Sequence, residues 1–113
     1  MKFADIHWVD LPDRGGREQR GRRPAVIWQD TELFPKLPTV LTIPLTSQMD
    51  TLRFGGTQLI QASPVNGLKA DSVALVFQLG ATDVRRIGAV LGKLTDSDLA
   101  NVRQIAIKLQ KLT

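Results

Sequence analysis

From Ile6 to Leu91 every β-favouring run in this chain is short, and the connections between runs carry proline or glycine. That punctuation leaves little room for long helices over the stretch and points to a small fold of short strands. Ile6-His7-Trp8-Val9-Asp10-Leu11 alternates and predicts a first strand, leaving through Pro12. Pro24 to Gln29 predicts a second, with proline tolerated at its first residue. Thr39 to Ile43 predicts a third, whose ladder Pro44 ends before Leu45-Thr46-Ser47. Residues 48 to 56 read as a loop, Thr57 to Gln61 as a strand, and Ser63-Pro64-Val65-Asn66-Gly67 as a turn. Ser72 to Gln78 reads as the central, most buried strand, Asp83 to Ile87 as one helical turn, and Ala89 to Leu91 as a last strand. The expected architecture is a small β-barrel.

The C-terminus differs in kind. Thr95 suits an N-cap, Asp98 stands at capping-box spacing, and Leu94 with Leu99 fits a hydrophobic staple. Leu99, Val102, Ile105, Ala106, Leu109 and Leu112 then recur at helical spacing as one apolar stripe. Asp96 and Asp98 at the start and Lys108 and Lys111 at the end suit the helix dipole. The spacing predicts a helix over 96–112 that covers one face of the barrel. At 113 residues the chain is expected to form one domain, 1–113.

The charge is localised. Between Asp13 and Arg23, the arginines Arg14, Arg17, Arg20, Arg22 and Arg23 stand against only Asp13 and Glu18, leaving +3 in one loop of a +4 chain. Guanidinium forks match phosphate oxygens and stay charged at ordinary pH. Such a loop, hinged on glycines and joined to a strand, reads as a phosphate or nucleic-acid contact. Zero cysteines exclude disulfides, thiolate zinc sites and cysteine nucleophiles. One histidine, His7, disfavours multi-histidine metal sites and paired imidazole acid–base work. It alternates with Ile6 and Trp8 and is expected to face solvent or an interface. No apolar segment suits a membrane span or a signal peptide, so the expected compartment is the cytoplasm.

Neither a Walker-type lysine–hydroxyl pair nor a nucleophile elbow is present. What remains for chemistry is Glu18 and Gln19 within the arginine loop, Arg22 and Arg23 at its end, and the hydroxyls of Thr46 and Ser47. RNA supplies its own nucleophile, the 2′-hydroxyl. An enzyme acting on it must align that oxygen, stabilise a dianionic phosphorane and manage two protons. Arginines and hydroxyls provide the electrostatics, and a carboxylate such as Glu18 can accept a proton. Whether Arg23 lies near Thr46 is not fixed by their positions in the chain.

Asp5 to Leu11, Gly16-Arg17-Glu18-Gln19-Arg20-Gly21-Arg22-Arg23-Pro24-Ala25-Val26, Pro44-Leu45-Thr46-Ser47 and Gly67 to Leu75 follow one another in a familiar order. Gln78, Asp83, Arg86 and Gly92-Lys93-Leu94 before the helix continue it. In these segments the chain resembles the MazF/PemK toxin endoribonucleases of bacterial type II toxin–antitoxin pairs. The resemblance implies a mainly β protein with α, an SH3-like β-barrel of the MazF/CcdB type with a C-terminal α-helix, acting as a homodimer. It implies metal-independent, cofactor-free, sequence-specific cleavage of single-stranded RNA, leaving a cyclic or 3′-phosphate and a 5′-hydroxyl. By position, Arg23 and Thr46 match the family's catalytic arginine and threonine, and Glu18 a loop glutamate implicated in activity. Gln19 and Gln78 match polar positions near the RNA; Arg17, Arg20, Arg22 and Ser47 are expected to bind it too. An antitoxin with an acidic, disordered tail is the expected partner. Arg17, Phe77 and Gly80 depart from the family's usual residues and bear on target sequence.

Each assignment has a plainer counterpart. Arg23 would serve as a surface ion-pair partner, Thr46 as a β-favoured strand-end residue, and Glu18 as a salt bridge to an arginine. Trp8 and Trp28 suit packing better than base stacking. A gyrase-inhibiting toxin and a non-catalytic RNA-binding barrel of the same fold are the alternative functions. The gyrase reading is disfavoured because Gln110-Lys111-Leu112-Thr113 holds no tryptophan.

Overall fold

The structure is a computed structural model and describes residues 1–12, 15–16 and 21–111. Seven strands precede one helix: β1 Asp5–Leu11, β2 Gly21–Ile27, β3 Thr39–Thr46, β4 Thr57–Ile60, β5 Ser72–Leu75, β6 Gly80–Asp83, β7 Ile87–Lys93 and α1 Asp96–Leu109. Short 3-10 turns cover Met49–Arg53, Val76–Gln78 and Val84–Arg86. The strands pair antiparallel in the order β4-β5-β3-β2-β1-β7, with β6 also on β3. Among the described residues β4 and β7 do not pair, so the sheet is open and the expected closed barrel is corrected to a mainly β sheet with a C-terminal helix.

Two prolines show how the sheet accommodates missing donors. Pro24 stands inside β2 rather than at its start, opposite Trp8 of β1. β3 pairs with β2 only along Ala25–Ile27, so at Pro24 the other flank of the strand has no ladder to interrupt. Pro44 does not end β3, which runs on to Thr46. β3 pairs with β6 over Thr39–Thr42 and with β5 over Leu45–Thr46, and Pro44 falls where the partner changes. The segment expected as one strand over Ser72–Gln78 splits after Leu75 into a 3-10 turn. It is wholly buried in its strand part, but β3, with three neighbours, is the hub.

The core gathers Ile6, Val26, Ile43, Leu45, Ile60, Ala74, Val76, Leu94, Val102 and Ala106. α1 contributes the last two and packs against β4 and the Val76–Gln78 turn. Thr95 caps it, its Oγ1 accepting from the Asp98 N–H at 3.2 Å. A smaller cluster of Val9, Leu11 and Ala25, with Ile87 against it, supports the end of the β1–β2 pair that carries Arg22 and Arg23. No described helix is long and apolar enough to cross a membrane.

Candidate active site

β2 and β3 run antiparallel with Ala25 opposite Pro44, Val26 opposite Ile43 and Ile27 opposite Thr42. Arg23 lies two residues before Ala25 in β2 and Thr46 two residues after Pro44 in β3, just beyond the last ladder pair. Here a groove of about 280 Å³ opens, lined by Trp8, Arg22, Arg23, Pro24, Leu45, Thr46, Ser47, Leu68, Lys69 and Ser72 among others. Arg22, Arg23 and Lys69 bring three cations to it, and no carboxylate stands among its described lining residues. The arrangement suits an anion with several oxygens.

The groove's polar groups are held differently. Thr46 is buried, and its Oγ1 accepts from the Gln48 N–H at 3.2 Å. With the oxygen accepting there, the hydroxyl proton is the group's donor toward a ligand. Arg22 lays its guanidinium 4.4 Å above the Trp8 ring, which restrains a long side chain while leaving its donors available. Arg23 and Ser47 are exposed. Trp8 is half-buried, so it both packs and carries Arg22.

The opposite wall depends on a turn. The Asn66 side chain is fully buried; its Oδ1 accepts from the Ser63 and Leu68 N–H groups, each at 3.0 Å, and its Nδ2 donates to the Gln61 carbonyl at 2.8 Å. Gly67 has φ +69, and a Cβ there would fall 2.0 Å from the Leu91 carbonyl oxygen. Only glycine lets the turn lie this close to β7. The turn delivers Leu68 and Lys69 to the groove. Sequence reasoning missed Lys69 and Asn66 as parts of this site, the one available signal being the turn at Ser63–Gly67 just before a lysine, and it weighed Trp8 for base stacking but favoured packing.

The structure thus brings together Arg22, Arg23, Thr46 and Ser47. It separates Gln78, which lines a neighbouring cavity with Gln48, Phe54 and Phe77. Arg17, Glu18, Gln19 and Arg20 lie outside the described residues. His7, expected to face solvent or an interface, does not face solvent: it is buried, and its Nδ1 donates to the Gly88 carbonyl at 2.9 Å. The β1–β7 register shifts on either side of His7, turning the ring toward the β7 backbone. Among the described residues, no three His, Asp or Glu side chains gather as a metal site. Asp83 accepts from Arg85, which holds its carboxyl down at about 2, but this exposed pair does not line the groove.

Comparison with known proteins gives the family and the fold. Residues 2–110 match the PemK-like, MazF-like toxins of type II toxin–antitoxin systems. The chain belongs to this family. It is 30% identical over 102 residues to "Endoribonuclease MazF" of Staphylococcus saprophyticus, covering 90% of this chain and 84% of that one. It superposes on crystalline MazF of Deinococcus radiodurans with a TM-score of 0.82 at 22% identity, covering 98% of this chain and 96% of that one. A chain in a MazE–MazF crystal structure from the same organism gives a TM-score of 0.75 at 22% identity, covering 100% of this chain and 97% of that one.

Proposed function

We propose that this protein cuts single-stranded RNA at a short recognition sequence, without a metal ion, by turning the RNA's own 2′-hydroxyl on the adjacent phosphorus. As a member of the MazF/PemK toxins it is an endoribonuclease; the proposal concerns how it works. The observation that supports it is the shared groove: Arg23 and Thr46, from different strands, face one space with Arg22 and Lys69.

In this reading the 2′-oxygen–phosphorus bond forms as the bond from phosphorus to the 5′-oxygen breaks. Glu18 takes the 2′ proton, and the departing 5′-oxygen takes one from water. Arg23 stabilises the charge that builds on the non-bridging oxygens, and Thr46 donates a hydrogen bond to the same phosphate. Arg17, Gln19, Arg20, Arg22, Ser47 and Gln78 hold the strand. The products carry a 2′,3′-cyclic phosphate and a 5′-hydroxyl, and addition of water across the 2′-oxygen–phosphorus bond of the cyclic ester gives the 3′-phosphate. The working form is a cytoplasmic homodimer, restrained by an antitoxin with an acidic tail.

Incubating purified protein with a long transcript in excess EDTA, then mapping the new 5′ ends, tests the reading. Cleavage should recur at one short sequence, and an all-DNA strand of that sequence should stay intact. A strict magnesium requirement would overturn it.

A further inference from the structure

When the bond from phosphorus to the 5′-oxygen breaks, that oxygen keeps the electron pair and leaves as an alkoxide unless a proton meets it. A side chain that supplies such a proton speeds a reaction by about 10²–10⁴-fold. The groove's hydroxyls and the Trp8 indole are poor donors for the task, because losing a proton would leave each about as basic as the alkoxide it quenches. Arg22 and Arg23 keep their protons, since a guanidinium does not ionise in proteins. Among the described lining residues that leaves Lys69, whose ammonium can pass a proton to a strong base.

The Lys69 side chain is exposed at the groove, while the backbone on either side of it is fixed. Just before it, Leu68 is buried and its N–H donates to the Asn66 Oδ1 at 3.0 Å. Just after it, the Ala70 carbonyl accepts from the Ser72 hydroxyl at 3.1 Å. Gly92 of β7 backs this turn so closely that a Cβ there would meet the Asn66 carbonyl carbon at 2.6 Å. The ammonium is left unneutralised. Asp71, two residues on, accepts from the Ala62 N–H at 2.8 Å, and among the described residues no ion pair engages Lys69.

Its wall also suits the leaving end of the reaction. In an in-line displacement the attacking and departing oxygens stand on opposite sides of phosphorus. Glu18 precedes β2 by three residues in the chain, whereas Lys69 stands on the wall built by the turn and β7. We propose that Lys69 is the general acid of the cleavage step, an assignment that rests on the RNA-cleaving reading of this groove. An ammonium N–H bond breaks as the 5′ O–H bond forms, and the neutral amine then recovers a proton from water. Water remains the source of the proton; Lys69 is its carrier.

Replacing the 5′-bridging oxygen of the mapped site with sulfur tests the assignment, because a thiolate leaves as a far weaker base and needs no acid. Single-turnover rates at saturating protein are compared for the two substrates. Lys69→Ala should slow the oxygen substrate about 10²-fold or more, the scale of a lost general acid, and barely slow the sulfur substrate. Arg23→Ala should slow both, because charge builds on the non-bridging oxygens with either leaving group. Lys69→Arg keeps the charge without a transferable proton, so it should bind RNA as the wild type does and still cut the oxygen substrate slowly. An unchanged rate in Lys69→Ala, an equal loss on both substrates, or a wild-type oxygen rate in Lys69→Arg would each overturn the acid while leaving the cleavage reading in place. Wild-type protein that fails to cut the oxygen substrate overturns the cleavage reading itself, and the acid with it.

Discussion

Arg23 and Thr46 stand on neighbouring strands, one exposed and one buried, and in the proposed mechanism that difference suits them to different work. A buried hydroxyl whose oxygen accepts from a backbone amide is fixed in place, which suits aligning a phosphate. An exposed arginine adapts to charge as it develops. Arg23→Ala should therefore lower kcat by about 10²-fold or more, the cost of one lost transition-state donor. Arg23→Lys should recover only part of it, because a point charge cannot copy a forked contact. Thr46→Ala should also lower kcat. Neither change should shift the melting temperature by more than a few degrees if these side chains serve the reaction rather than the core. Near-normal turnover in Arg23→Ala, measured on the mapped site, would falsify the assignment. Asp83 shows why a displaced pKa alone is poor evidence for a site. Its carboxyl is held at about 2 by Arg85, yet the pair is exposed and only caps the Val84–Arg86 turn. Whatever it adds to stability is present above the ordinary carboxylate range and fades as pH falls toward 2.

At the scale of elements, the turn at Ser63–Gly67 matters as much as the strands. It is bonded internally through Asn66, and it reaches β7 through the Lys93 N–H, which donates to the Val65 carbonyl at 3.1 Å. Gly67→Ala adds left-handed strain and drives a methyl into the Leu91 carbonyl. It should destabilise the fold by about 2–4 kcal/mol in urea unfolding, and weaken RNA binding by loosening the wall that carries Lys69. An unfolding midpoint within error of the wild type would show that the turn does not need this close approach. The same contrast explains what was legible beforehand. The turn, the short strands and the capped helix each leave a local signal: Pro-Val-Asn-Gly, alternation, and Thr95 before an apolar stripe. Pro24 and Pro44 misled because a missing N–H matters only where a neighbouring strand would receive it, and neighbours are a property of the whole sheet. β6 escaped notice because Gly80-Ala81-Thr82-Asp83 carries little β preference and is extended by its pairing with β3. Strand pairing, likewise non-local, is what brings Arg23 and Thr46 to one groove.

Over the whole molecule, an excess charge of only +4 becomes consequential because cations converge on one groove, where Arg22, Arg23 and Lys69 meet without a facing described carboxylate. A groove that captures RNA by charge is also open to any flexible acidic chain. An unstructured acidic tail loses ordering entropy on docking, so it must recover free energy from these same cations. The chain belongs to the toxins of type II toxin–antitoxin systems, and in the proposed function the antitoxin supplies such a tail. RNA and tail should then compete for Arg17, Arg20, Arg22 and Arg23. Both affinities should fall as salt rises, since exposed charges are screened over about 8 Å at physiological ionic strength. Removing Lys69 (Lys69→Ala) should weaken both partners, because it takes one cation from a surface they share. The measurement is a titration of an acidic tail peptide into protein already carrying a fluorescent, 2′-O-methylated RNA that cannot be cut. Displacement of the RNA with a midpoint that rises with RNA concentration is the expected result, while a ternary complex in which each ligand binds with unaltered affinity would sink the shared-groove mechanism.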